Sequence, residues 1–441
     1  MDQAGILDVR EFINSRKMSA FQWGLVVLCF LIVAVDGMDV AIMGFVAPSI
    51  IHDWHISRPA FGAVMGAAPI GLAVGALLAG SSSDWFGRRK VLLVSVLGFG
   101  IATLATAQAG SPQRMALLRF LTGLALGAAM PNSTTLLAEY VPERIRSSVI
   151  AAMFTGFNLG SAAIGFAAAY LSPHFGWQSV LMFGGALPLL LLPFMYFFLP
   201  ESARYLVARG ASAERIRPLM ARVCRTNLDQ WRSFISKEAP VAARQPIAAL
   251  FAKGHSFRTV SLWLTYFMDL LVIYLTTSWL PTMMKDAGLS IDRASTLTAM
   301  FQLGGTVGAI FVGCAMDKIT PSRVISLSYL LGGAALVLLG LAGLQSAWIV
   351  LCILMTGFCL SGAQTGLNAY APSCYPTMAR ATGVSWMLGV GRFGSILGSS
   401  IGGVLLSLGW GFQAIFLSLA VPACVAAVAI LGSGLRAKES F

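Results

Sequence analysis

A dozen runs of apolar residues, each long enough to cross a bilayer, leave this chain little choice of fold. In hydrocarbon every backbone N–H and C=O must be satisfied within the segment, so runs of this kind fold as helices. They lie at about 22–47, 59–80, 91–109, 114–138, 148–171 and 177–199, then at about 258–283, 294–316, 323–343, 347–371, 383–408 and 412–432. The expectation is an all-α membrane protein of twelve transmembrane helices in two pseudo-symmetric six-helix bundles. Its parts would be a tail (1–21), a first bundle (22–199), a linker (200–257), a second bundle (258–432) and a tail (433–441). Only 11% of residues are charged, against about a quarter in soluble proteins. The first run is too long for a cleavable leader, and no small-residue cleavage site follows it.

The net charge of +12 would suit nucleic acid, but its placement argues for topology instead. An even helix count puts both tails and the linker on one side, and 24 of the 30 basic residues fall there. The opposite loops hold Arg58, Arg114, Lys285 and Arg293, while Arg119 and Arg392 lie inside spans. Positive-inside bias makes the first side cytoplasmic, as in a bacterial inner membrane. Before the first span, Ile6 to Met18 reads as a short amphipathic helix with Ile6, Val9, Phe12 and Ile13 on one side. It suits either an interfacial anchor or an ordered tail.

A repeat runs through both halves. Shifting the sequence by 233 superimposes Asp36 on Asp269, Pro48 on Pro281, Gly71 on Gly304, Gly75 on Gly308, Gly80 on Gly313 and Asp84 on Asp317. The same shift brings Gly176-Trp177 onto Gly409-Trp410. Two parallel halves imply a site near the midplane, reached alternately from each side.

Charge inside a span marks function by default. Asp36 and Asp39 sit at i,i+3 on one helical face, with Asp36 about 21 Å up the first span at 1.5 Å per residue. Arg119 lies at a comparable level on the fourth span, so the three can form one coupled titrating group suited to carrying a proton. A permanent ion pair is the plainer alternative. Arg392 is roughly 15 Å into the eleventh span and Asp269 roughly 18 Å into the seventh. A lone guanidinium requires an anion: either Asp269 neutralises Arg392, or a substrate carboxylate takes its planar fork. Polar Asn132, Asn158, Gln302, Gln364 and Asn368 occupy cavity-facing positions, where each serves either a ligand or helix packing. The aromatic Phe154, Tyr274, Trp279 and Trp386 are candidates for stacking on a planar ligand or for simple packing.

Two loops share a signature. Gly80-Ser-Ser-Ser-Asp84-Trp-Phe-Gly87-Arg88-Arg89 joins spans two and three, and Gly313-Cys-Ala-Met-Asp317-Lys318 is its partner. Asp84, Arg88 and Asp317 are therefore candidate gating residues. Glu139, Arg146, Glu201 and Arg204 would form a second charge latch, unless they are simply solvated. The seven cysteines form no CxxC or CxxH pattern and read as packing residues. The four histidines fall in or beside loops, so none serves as a proton relay within the membrane. No Walker loop, catalytic triad or metal cluster is present, which argues against an enzyme or a cofactor beyond the proton.

These loop signatures resemble those of the major facilitator superfamily. Over nearly its whole length the chain is similar to the aromatic acid:proton symporter family within it. The resemblance rests on Asp36-Gly-Met-Asp39, Arg119-Phe-Leu-Thr-Gly123, Gly127-Ala-Ala-Met-Pro131-Asn132, Pro200-Glu-Ser-Ala-Arg204, Ser278-Trp-Leu-Pro281 and Arg380-Ala-Thr-Gly-Val-Ser-Trp386 through Arg392-Phe-Gly394. Carriers of 4-hydroxybenzoate and protocatechuate look most similar. The resemblance implies a major facilitator fold, proton coupling through Asp36 and Asp39, and a transport requirement for Arg380 and Arg392. It also implies a small aromatic carboxylate as substrate, with lipid around a functional monomer. Carriage of another organic anion or a sugar stays open, as does a membrane sensor that binds without transporting. The fifth span, with Gly156-Phe-Asn-Leu-Gly160, lacks the Gly-Pro pair usual in exporters of this superfamily.

Overall fold

The computed structural model describes residues 6–224, 228, 231, 233–235, 250–251, 256–342, 348–375 and 380–439. A three-residue strand β1 (Ile6–Asp8) and a short helix α1 (Val9–Asn14) lead into α2 (Ala20–Trp54), α3 (Arg58–Phe86), α4 (Arg88–Thr106), α5 (Pro112–Tyr140), α6 (Glu143–Phe175) and α7 (Trp177–Phe198). The linker carries α8 (Ala203–Ala208), α9 (Ala213–Cys224) and β2 (Ser233–Ile235). The second bundle is α10 (Ser256–Asp286), α11 (Ile291–Met316), α12 (Pro321–Ala342), α13 (Ile349–Tyr370), α14 (Arg380–Ser407) and α15 (Phe412–Glu439). Among the described residues, twelve helices are long and apolar enough to cross a membrane.

Local chemistry sets several of the boundaries. Ser19 and Gln22 cap α2 reciprocally, each side chain bonding the other's backbone N–H, which satisfies donors a helix start leaves orphaned. Ser111 caps α5 in the simpler way. His55 ends α2 in the left-handed conformation.

Packing repeats the sequence symmetry. In the first bundle α3 lies on α5, α2 on α6 and α4 on α7; in the second, α11 lies on α13, α10 on α14 and α12 on α15. Small residues make these seams close. A Cβ on Gly71 or Gly75 would meet the backbone of α5 at 2.1 Å, and one on Gly304 or Gly308 would meet α13 at 2.1 and 2.0 Å. Such approaches replace the hydrophobic drive that helices lack in lipid.

The halves meet through α6 with α11, α3 with α14 and α2 with α10. The closest approaches between them lie at the end remote from the termini and linker. There Gly62 and Gly66 face Ser400, Gly403 faces the Arg58 carbonyl, Gly44 faces the Thr277 carbonyl, and Arg58 pairs with Asp286 at 2.8 Å. We call this end the far face and the other the terminal face.

The tail departs from the expected amphipathic helix over Ile6–Met18. Ile6–Asp8 instead pairs in parallel with Ser233–Ile235 of the linker, and only six residues, Val9–Asn14, are helical. Asp8 accepts from the Arg10 and Glu11 backbone N–H groups, which fixes the helix start there. Val9 and Ile13, one turn apart, are buried in protein. Arg10 pairs with Glu143 at the start of α6, and Asn14 accepts from the Glu143 N–H. The tail is stitched to the first bundle, so the apolar stripe serves protein packing and not an anchor in lipid.

Candidate substrate and proton site

The charged residues inside the spans sort into three environments. The first is a closed pair between α2 and α5. Arg119 donates from both terminal nitrogens to the Asp39 carboxylate, at 2.6 and 3.2 Å, and from one of them to the Asp39 carbonyl at 3.1 Å. Thr103 of α4 donates to the same carboxylate. Asp39 and Arg119 are each about 1% exposed. A buried bidentate pair with an extra donor has little left to offer a ligand. In this structure Asp39 and Arg119 form an ion pair, and Asp36 feels the Asp39 charge without being bonded to the pair.

Asp36 stands apart from it. One turn nearer the terminal face on α2, it is 2% exposed, and its Oδ1 has no hydrogen-bond partner. Its opposite charge is Arg392, which reaches it electrostatically from α14 in the other half. The hydroxyl of Tyr274 on α10 lies beside the Arg392 guanidinium, and Tyr266, about two turns nearer the terminal face, is within the same field and beside Asn368. The second environment is therefore a polar centre shared by both halves: Asp36 from one, Arg392, Tyr274, Tyr266 and Asn368 from the other. Arg392 is only partly buried, so its fork is accessible from the space between the bundles. Toward the far face lies a small cleft lined mostly by apolar side chains, Val40, Met43, Met65 and Leu126, together with Tyr274, Ser278 and Arg119.

Asp269 occupies the third environment and does not meet Arg392. It is 1% exposed and faces the Tyr329 hydroxyl of α12. Matching depth along two helices does not match their rotation, and the side chain turns into the second bundle away from the cavity. Asp269 is thus no part of a substrate-binding surface in this structure.

The remaining candidates scatter. Asn158 approaches Gly305 and Ser361 across the halves. Gln302 is buried on α11, and Gln364 is half-buried on α13. Asn132 donates to the Ala128 carbonyl of its own helix, 2.8 Å away, and is buried there, so it bonds locally. Trp386 stacks on Trp263 with centroids 5.7 Å apart and is otherwise 41% exposed, and Trp279 is buried and donates to the Ser399 carbonyl.

At the terminal face Arg88 lies 4.0 Å from Glu139 and donates to the Ser83 carbonyl. Glu201 accepts from the Arg89 N–H at 3.2 Å, Arg146 pairs with Glu143 at 3.6 Å, and Arg204 lies in the field of Arg146. The Arg89–Glu201 contact ties α4 to the linker, Arg88–Glu139 joins α4 to α5, and Arg146–Glu143 lies within α6. Asp317 is exposed at the end of α11. The side chains of Asp84 and Arg380 lie outside the described residues. Sequence reasoning missed Thr103, Tyr266 and the Arg58–Asp286 pair. Asp286 was traceable, since the repeat places it on Asp53, itself bonded to Trp177 at 3.1 Å.

Two bundles related by a repeat, with a polar centre between them and a sealed far end, define a membrane transporter and not an enzyme. The Major Facilitator Superfamily pattern matches residues 29–261 and 262–439, and the chain belongs to that superfamily. It is 55% identical to a gallate transporter of Pseudomonas putida, over 97% of this chain and 95% of that one. It is 49% identical to the 4-hydroxybenzoate transporter PcaK of Pseudomonas aeruginosa, over 97% and 96%. The inward-open xylose transporter XylE of E. coli superimposes with a TM-score of 0.73 at 16% identity, covering 92% of this chain and 95% of that one, a likeness of fold alone.

Proposed function

We propose that this protein imports small aromatic carboxylates of the 4-hydroxybenzoate and gallate type together with protons, by alternating access across a bacterial inner membrane. The terminal face, with both termini and the linker, is then cytoplasmic, the positive-inside side, and the sealed far face is periplasmic. The protein works as a monomer in lipid, with the proton as its only coupling ion.

The observation that carries this reading is that Asp36 and Arg392, from opposite halves, share one polar centre. A guanidinium fork matches a carboxylate, so a substrate carboxylate competes with Asp36 for Arg392. When substrate takes Arg392, Asp36 is left as a buried carboxylate without its counter-charge, a cost that a proton removes. Substrate loading and protonation then occur together. The Tyr274 and Tyr266 hydroxyls are placed to meet ring substituents.

Uptake of a panel of hydroxylated benzoates into proteoliposomes, with and without an inward proton gradient, tests the proposal. Accumulation should require the gradient and fail for sugars. Arg392→Lys should weaken binding of the preferred acid by about tenfold, or about 1.4 kcal/mol, because a point charge lacks the planar fork. Gradient-independent uptake, or normal binding by the Lys variant, overturns it.

A further inference from the structure

Asp269 and its neighbour Tyr329 are not explained by the centre just described. Both are essentially inaccessible. The polar group facing the Asp269 carboxylate is the Tyr329 hydroxyl, and neither group has a further partner at hydrogen-bond geometry. A buried acid whose polar company is a single hydroxyl is unusual, since buried polar atoms are nearly always well bonded. An ionised carboxylate cannot persist in that setting, and such a group neutralises instead.

The groups facing this site are few. On its own helix, Tyr266 lies at i−3 and shares its face. Tyr266 senses both Asp269 and Arg392, so it stands between the buried acid and the shared centre. Of the helices packed against α10, α14 brings Arg392 and α2 brings Asp36 and the ion-paired Asp39. Helix α11 has charges only at its far end, Asp292 and Arg293; α12, which brings Tyr329, carries only the exposed Arg323 at its start; α13 carries none, and the charges of α15 (Arg436, Lys438 and Glu439) sit at its terminal-face end. No cation therefore pairs with Asp269 as Arg119 pairs with Asp39. A metal ion also fits poorly. It requires several oxygen ligands, and the Thr265 hydroxyl one turn away is already donated to the Ser261 carbonyl at 2.7 Å.

We propose that Asp269, lying against Tyr329, is a second proton-binding site of the carrier, loaded in the far-closed state and emptied when α10 moves in the transport cycle. Tyr266 links it to Arg392, so occupancy of the shared centre by substrate is felt at the second site. The repeat that superimposes Asp36 on Asp269 thus supplies one proton site per half. The argument rests on the proton-coupled reading above.

The test is the proton-to-substrate ratio in proteoliposomes, measured by balancing a substrate gradient against a pH gradient at fixed membrane potential. Wild type should move about two protons per aromatic acid and Asp269→Asn about one, while substrate exchange at equilibrium survives in both. An infrared pH titration of the purified protein supplies a readout independent of transport. A carboxylic C=O band should titrate, disappear in Asp269→Asn and change position in Tyr329→Phe. If Asp269→Asn does not fold, Tyr329→Phe carries the test, because it keeps the acid and removes only its neighbour. Equal ratios in wild type and Asp269→Asn overturn the proposal, as does dependence on sodium in place of pH. If wild type moves no protons with substrate, the symport reading itself fails, and the titration decides alone: a titrating band lost in Asp269→Asn sustains the site, and an absent or unchanged band overturns it.

Discussion

Asp36 and Asp39 are chemically identical and three residues apart, yet one is locked to Arg119 while the other is left facing Arg392 across the halves. Their variants should therefore differ in kind. Asp39→Asn leaves Arg119 buried without its counter-charge, which should cost about 3–5 kcal/mol and lower the Tm of the solubilised protein. Asp36→Asn should keep the Tm and equilibrium exchange but lose pH-driven accumulation. A stable Asp39→Asn protein would show that the pair is not structural. At this scale the sequence was readable for which residues matter and at what depth, because rise per residue is constant. It was not readable for partners. Whether Asp269 turns toward Arg392 or toward Tyr329 depends on helix rotation, and that is set by packing from helices distant in sequence.

Helix-scale features were the most legible. Spans of apolar residues, the constant repeat offset and the paired glycines all survive in the three-dimensional arrangement, because each is a local or periodic property. The tail was read in part: an ordered tail was one of the two alternatives, but the helix is shorter than expected because the partner of Ile6–Asp8 lies at Ser233–Ile235, and an apolar stripe does not say what covers it. The glycine seams make a graded expectation. A Cβ at Gly123 would sit 2.0 Å from the Ala68 carbonyl, and one at Gly308 equally close to that of Phe358. Gly123→Ala and Gly308→Ala should each cost about 1–3 kcal/mol by overpacking. Gly389→Ala, with nothing within 4 Å, should be neutral in the same thermal unfolding measurement. Comparable stability of all three variants would mean that the seams relax freely.

For the whole molecule, transport requires the far face to open, and its visible fastening is the Arg58–Asp286 pair, whose side chains are 39% and 35% exposed. An exposed pair contributes only about 0.2–1 kcal/mol, so it orients the closed end without trapping it. Replacing both residues with cysteine in a background lacking the seven native cysteines, and bridging them with a bifunctional methanethiosulfonate, should hold the far face shut and reduce uptake more than about tenfold, equivalent to about 1.4 kcal/mol or more, with recovery on reduction. Undiminished uptake by a fully cross-linked protein would mean that this end does not part during transport. The strand joining tail and linker carries a consequence for biogenesis. Ile6–Asp8 pairs with a segment made roughly 225 residues later, a wait of about ten to forty-five seconds at ordinary elongation rates. Six helices must enter the membrane before that strand finds its partner. The tail is therefore threaded late, as a fastening applied after the first half has been inserted.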